Sequence, residues 1–400
     1  MHAKRELYIF TIYYAIVYMT VSIFGSYISL YYLSKGFSVF QIGMLQAIGP
    51  VSSVLILPMW AAASDRVRYK TTILKTVIIG SICAVVLYRQ VSGFYATIIV
   101  TMMFMTFYTS IISLGDAIAV DRIIRLNGKF TSVRLCGTLS FALTVILAGS
   151  YFRNHITNMF YVAAVFLFLD FLIVCFFRKE KAVTDAADAA DAADAADAAK
   201  AEKQSFMDIF KNKSMVFLLL FCLMMSVAFS FNSTFIGVYI KNMHYSSFYI
   251  GLAMCISAAS EVPILLCIQR RYVKFGAINI LIFSGFMMGL RMLILFFASN
   301  IAMVLLSQVL QGVTYMTLHY STIMFMNEHA PWNMKSTSQS LLAVFQAGFG
   351  SILGSIGGGY FCGRVGISAT YGYFSASLFI LTLICACSVT YMRKKRKFKH

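Results

Sequence analysis

Twelve long apolar runs, each of membrane-crossing length, follow one another along this chain of 400 residues. They occupy residues 7–33, 40–63, 72–91, 93–120, 131–152, 158–177, 214–240, 248–268, 277–297, 300–325, 337–361 and 368–391. About 20 apolar residues in a helix cross the hydrocarbon of a bilayer. No water is available there to satisfy the backbone, so runs of this length are read as helices. With 60% hydrophobic and 12% charged residues, a water-soluble chain of this size has no way to bury so much apolar surface. The order is six runs, one long polar connection, then six more. The expected fold is therefore an all-α membrane protein of twelve transmembrane helices in two six-helix bundles. The first bundle is assigned to residues 1–180 and a linker to 181–213. Residues 214–400 form the second bundle and its basic tail.

Loop charge orients the spans. Of the 33 Lys and Arg residues, 25 fall at the two termini and in the connections after the even-numbered spans. The other side holds five, Lys35, Arg89, Arg153, Lys241 and Arg364, and three lie within spans, Lys75, Arg134 and Arg291. This bias puts both termini in the cytoplasm and predicts a multi-pass protein of the cytoplasmic membrane. The formal charge of +18 then reports orientation and contact with anionic lipid headgroups; no nucleic-acid-binding module is evident, and no nucleic-acid partner is expected. Lys4 and Arg5 precede the first run with no evident small-residue cleavage site, so the run is read as a retained span. The nine cysteines form no CxxC pair and lie almost all in apolar runs, as buried thiols do. The six histidines are scattered without an HExxH pattern. No metal, no cofactor and no enzymatic activity are expected.

The connection contains "DAADAADAADAADAA", residues 185–199. A three-residue period advances about 300° on a helix, so the aspartates spiral and leave no apolar stripe to dock. The segment is read as a solvated linker. Its carboxylates are too regularly spread for a calcium loop.

Charges inside the spans mark candidate function, because an ionisable side chain in the hydrocarbon costs roughly 2.5–3.5 kcal/mol on insertion scales. Spans 4 and 5 are antiparallel and joined by the short loop "DRIIRLNGKF". Asp116 and Arg134 lie equally far from its centre and sit at similar depth, where two arrangements fit: a mutual pair, or two side chains snorkelling to the headgroups. Thr138 and Phe141 follow Arg134 on one stripe, with Gly137 beside them. A guanidinium fork, a small residue and an aromatic ring together suit a hydroxylated ring. Glu261 lies in "ISAASEVPILLC" with no basic residue within a helical turn, and Pro263 frees a backbone carbonyl nearby. It is a candidate proton carrier or ligand acceptor. Arg291, deep in span 9, needs a counter-charge, and Glu261 is the nearest candidate. Span 10 carries Gln308, Gln311, Tyr315, His319 and Thr322 at helical spacing, one hydrogen-bonding face. In span 11, Gly350, Gly354 and Gly358 repeat every four residues as a close-packing surface. Asp170 in span 6 has no partner that the sequence identifies.

Six plus six spans with a linker between them resemble the major facilitator superfamily. The loop "AAASDRVRYK" is similar to that superfamily's gating signature at Asp65 and Arg66, with alanine near position 61 where the signature has glycine. "SVRLCGTLSF" resembles the span 5 pattern of the lactose-permease-like branch, which includes oligosaccharide, nucleoside and phenylpropionate proton symporters. The resemblance implies that Asp116, Arg134 and Phe141 bind substrate. It places Glu261 on a substrate-binding glutamate and Arg291 on an arginine involved in proton release. Span 10 departs from the branch: Gln308, Gln311 and Thr314 stand where it has lysine, histidine and glutamate. Asn232 and Gln346 likewise stand where it has aspartate and lysine, so the charge network of the second half is largely neutralised.

The expected function is secondary transport, by alternating access, of a small polar solute, a sugar first, by a monomer coupled to protons through Glu261, Arg291 and Asp116. Gln308 and Gln311 are expected to bind substrate with the residues above. A nucleoside or an aromatic carboxylate is the alternative cargo, and a non-transporting receptor the alternative class. An intramembrane protease is disfavoured, because "SLGDAI" has Ser113 where its GxGD motif needs glycine.

Overall fold

The computed structural model describes residues 2–67, 69–126, 128, 130–177, 213–329, 339 and 341–397. The repeat at 185–199 lies outside them. Among the described residues there are twelve helical spans long and apolar enough to cross a membrane, and no strand. The chain divides into two compact units, Met1–Asp185 with Thr234–Cys255, and Ala186–Ser233 with Ile256–His400.

In the first unit, α1 (His2–Ser34) packs against α6 (Phe130–Tyr151) and α7 (Met159–Cys175). Here α4 (Lys70–Leu87) packs against α5 (Phe94–Arg125) and α7, and α2 (Val39–Leu55) against α5. The second span is not one helix. It stops at Leu55 and restarts as α3 (Leu57–Arg66), with Pro58 in the first turn of α3, where its missing N–H is tolerated. Lipid tails are as apolar as the side chains, so packing and hydrogen bonds, not hydrophobic burial, hold such helices together. A cluster of rings supplies much of the packing: Phe24 stacks on Phe104 at 4.4 Å, Phe104 on Tyr108 at 4.7 Å and Tyr88 on Phe160 at 4.7 Å. Each aromatic pair contributes about 0.5–1.5 kcal/mol beyond its burial. Glu6 accepts two bonds from Arg122, at 2.7 and 3.0 Å, and ties the start of α1 to the end of α5.

The helices α8 (Lys213–Asn242) and α9 (Ser247–Phe275) contribute to both units. Residues 234–255 belong to the first unit because glycines let backbones meet. A Cβ on Gly251 would lie 2.3 Å from the Val145 carbonyl oxygen, and one on Gly149 would lie 2.7 Å from that of Ser247.

The second unit continues with α10 (Ala277–Phe296), α11 (Ile301–Val309), α12 (Thr317–His329), α13 (Ser351–Val365) and α14 (Ile367–Lys397). Single glycines with positive φ join neighbours: Gly276 (74°) separates α9 from α10, and Gly366 (87°) separates α13 from α14. The expected close-packing surface is present: on α13, a Cβ at Gly354 would lie 2.4 Å from the Val227 carbonyl oxygen, and one at Gly358 2.4 Å from the Phe231 ring. Two spans of this unit depart from a continuous α-helix. Gly312–Met316, between α11 and α12, and Val344–Gly350, before α13, are π-helical. Such turns occur frequently at functional sites.

Candidate functional site

Leu135, Leu139, Leu143 and Leu147 are all exposed and repeat every four residues along α6, so they form its lipid-facing stripe. At about 100° per residue, Arg134, Thr138 and Phe141 fall on the opposite side. Arg134 is exposed there, and Phe141 is half-buried. The pair considered from the sequence is not formed: among the described residues Asp116 and Arg134 make no ion pair within 4 Å. The Tyr14 hydroxyl of α1 instead donates to Asp116 Oδ1. Both the carboxylate and the guanidinium act electrostatically on Tyr14. Gly137 makes this arrangement possible, because a Cβ there would lie 3.3 Å from the Tyr14 carbonyl oxygen and 2.8 Å from the Tyr18 ring. Depth along two helices is legible in sequence, but a hydroxyl supplied by a third helix is not.

Asp65 and Arg66 stand exposed at the end of α3, and Asp65 pairs with Lys70 at 3.2 Å across the following turn.

In the second unit, Arg291 is completely buried. Its two terminal nitrogens donate to Gln308 Oε1 at 2.8 Å and to Gln311 Oε1, while Nε has no partner. Gln311 Nε2 donates in turn to Glu261 Oε1 at 3.4 Å. The direct Glu261 counter-charge expected for Arg291 is thus replaced by an amide bridge, Arg291–Gln311–Glu261. The local backbone brings these side chains together. Gly312 N–H donates to Ser260 Oγ at 2.9 Å, and a Cβ on Gly312 would lie 2.0 Å from the Ser260 carbonyl oxygen. Only glycine lets span 10 come this close to span 8.

The hydrogen-bonding face expected along span 10 divides at the π turn. Gln308 and Gln311 turn to Arg291, whereas Tyr315 and His319 line a cavity of about 260 Å³. Both π-helical segments contribute to its wall, with Thr314 and Tyr315 from one and Gln346 and Ala347 from the other. Three rings form a nearly parallel series: Phe229 on Tyr315 at 4.8 Å and 22°, and Tyr315 with His319 at 5.9 Å and 9°. Phe229 and the π turns were not singled out from sequence, because no spacing rule marks a π turn. Thr322 is not in this wall: it bonds the Leu318 carbonyl at 2.6 Å and lies 3.5 Å from Cys222 Sγ. Asn232 accepts from the Tyr371 hydroxyl at 3.2 Å.

A polytopic all-helical protein with ionisable groups and a cavity within its helix packing has the build of a solute transporter. The chain belongs to the MFS_1 like family, whose model matches residues 7–373. It is a secondary transporter with the major facilitator fold. It is 24% identical to the uncharacterized transporter YwbF of Bacillus subtilis (strain 168) over 365 residues, covering 90% of this chain and 86% of that one. It is 21% identical to a maltose permease of Geobacillus stearothermophilus over 380 residues, covering 94% and 93%. The crystal structure of the nucleoside transporter NupG matches with a TM-score of 0.83 at 17% identity, covering 97% of this chain and 99% of that one.

Proposed function

We propose that this transporter carries a small polar solute bearing a flat ring, a nucleoside in the first place, in symport with protons. The observation that carries the reading is the parallel series Phe229, Tyr315 and His319 along one cavity. A planar base gains most from such a wall. Much of the remaining lining is apolar, with Met225, Met288 and Leu318, which suits a base better than a fully hydroxylated sugar. Thr314, Gln346 and Ser226 add polar residues to its lining. A sugar is the second reading, favoured by the likeness to a maltose permease across 94% of the chain.

Coupling rests on Glu261. Its bridge through Gln311 to Arg291 gives the carboxylate one set of partners, and a neutral carboxyl would need another. A group whose partners differ with its protonation is what links a proton to a conformational equilibrium. Arg134 and Phe141, with Asp116, are proposed to bind substrate as the family resemblance implies, and Asp65 and Arg66 to act in gating. The transporter is proposed to act as a monomer in the cytoplasmic membrane with both termini inside.

The test is uptake into proteoliposomes under an imposed pH gradient, with uridine, adenosine and maltose in parallel. Gradient-driven accumulation of a nucleoside, lost in Tyr315→Ala, is expected. In Glu261→Gln, accumulation is lost while exchange across the membrane remains. Maltose uptake without nucleoside uptake would replace the first reading by the second. Accumulation by Glu261→Gln equal to that of the wild type would remove Glu261 as the carrier.

A further inference from the structure

Asp170 is the one acid within the spans that the reading above leaves unused. It lies on α7 with no exposed surface, and neither carboxyl oxygen has a hydrogen-bond partner. The helices packed on α7 are α1 and α4. From α1 comes the Tyr13 hydroxyl, which donates to the Ile111 carbonyl at 3.3 Å, and beyond it Tyr14, bonded to Asp116. An ionised Asp170 would act on the hydroxyls of Tyr13 and of Tyr108 of α5. On α4, Lys70 is paired with Asp65 and Lys75 is half-buried; neither comes within 4 Å of the Asp170 carboxyl. At the far end of α7, Tyr88 stacks on Phe160 and Arg89 donates to Tyr161. Among the described residues, no cation and no donor therefore holds an ionised carboxylate at Asp170.

A buried ionised group without a partner takes its neutral form instead. A second buried polar group lies within electrostatic reach of this one. The Tyr108 hydroxyl also lacks a partner, although a buried tyrosine hydroxyl normally has one.

We propose that Asp170 is a proton-binding site of the first unit, separate from Glu261, loaded in the conformation seen here and unloaded when α7 shifts against α1 and α4. On loading, a proton from water forms the carboxylic O–H. On unloading, the proton returns to water and the carboxylate gains the Tyr108 hydroxyl as donor. Tyr108 stands unpartnered because it serves only the other state. The use of this proton in transport rests on the proton-coupled reading above; its presence on Asp170 does not.

The experiment is infrared difference spectroscopy on the purified protein in lipid nanodiscs, without substrate, across a pH titration. A protonated-carboxyl C=O band is expected at neutral pH. Asp170→Asn removes it, Glu261→Gln leaves it, and Asp170→Glu moves it in frequency. The glutamate variant also decides the matter if the asparagine variant is poorly folded. Absence of the band from the wild type, or its survival unchanged in both Asp170 variants, overturns the proposal. In vesicles that accumulate solute, Asp170→Asn should lose accumulation and keep exchange; undiminished accumulation overturns the coupling role. If wild-type vesicles accumulate none of the solutes offered, it is the transport reading that fails, and the infrared band still decides Asp170.

Discussion

Arg291 sits fully buried against two neutral amide oxygens, with its nearest acid one amide away. A hydrogen bond to a charged group contributes about 1.5–3 kcal/mol, and removing one partner leaves the other stranded. Gln308→Leu strands the guanidinium, so it should lower stability by about 1.5–3 kcal/mol. Arg291→Met removes the buried charge itself and fills similar volume, so it should be the more stable variant while transport is lost. Thermal unfolding of the two purified variants checks the order; an Arg291→Met protein less stable than Gln308→Leu would show that the cation is a net stabiliser. Arg134 stands differently, exposed on the side of α6 away from the lipid stripe. If its planar fork binds substrate, Arg134→Lys should lose substrate binding nearly as fully as Arg134→Ala, because an ammonium offers no paired donors in a plane. Wild-type affinity in the lysine variant would return Arg134 to the role of headgroup anchor. The sequence showed which side chains were expensive in lipid and so worth attention. It did not show their partners: Tyr14 and Gln311 occupy the places that charge-pairing logic gave to Arg134 and Glu261. Neutral hydrogen-bonding groups are common along these spans, and nothing in spacing along one helix says which of them a second helix will meet.

Helix crossings depend on where a side chain is absent. Gly312 lies against the Ser260 backbone, where a Cβ would be 2.0 Å from the carbonyl oxygen. Backbone cannot yield as a flexible side chain can, so Gly312→Ala must push span 10 away from span 8. Overpacking of this kind costs typically about 1–3 kcal/mol. The same displacement would break the contact of Gln311 with Glu261 at 3.4 Å. Gly357, in the middle of α13, has nothing within 4 Å of its would-be Cβ. Gly357→Ala should therefore gain about 0.5–1 kcal/mol from helix propensity alone. Melting temperature and uptake, measured on both variants, should change with opposite signs; equal behaviour would mean that the crossing at Gly312 is not tight. At this scale the glycine stripe of span 11 was legible because its four-residue repeat has one physical meaning. The π turns at Gly312–Met316 and Val344–Gly350 were not. Their residues are compatible with an ordinary α-helix, and a spacing of three and four residues reads as one face until an i→i+5 bond divides it.

At the scale of the whole molecule the sequence is most informative, because lipid allows so few solutions. Length and apolarity set the number of spans, and among the described residues the structure has the same twelve, with the second broken near Leu55. Side of the membrane is a separate question, decided by where basic residues resist translocation. An even number of crossings returns the chain to the side on which it began, so the termini share one side whichever it is. The loop charges choose between the two possibilities: 25 Lys and Arg on the side of the termini against five on the other. The weight does not rest on one loop, since both termini and every connection after an even-numbered span carry basic residues. Arg153, in the connection from α6 to α7, is the single Lys or Arg of its loop. A fluorescent protein fused to the C-terminus should therefore fold and fluoresce in the cytoplasm. Alkaline phosphatase inserted after Asn154 should be exported and active, and at the C-terminus it should be inactive. The reverse pattern would mean that the protein is inverted. Activity at both positions would mean that one apolar run between them fails to cross, which would break the twelve-span account itself.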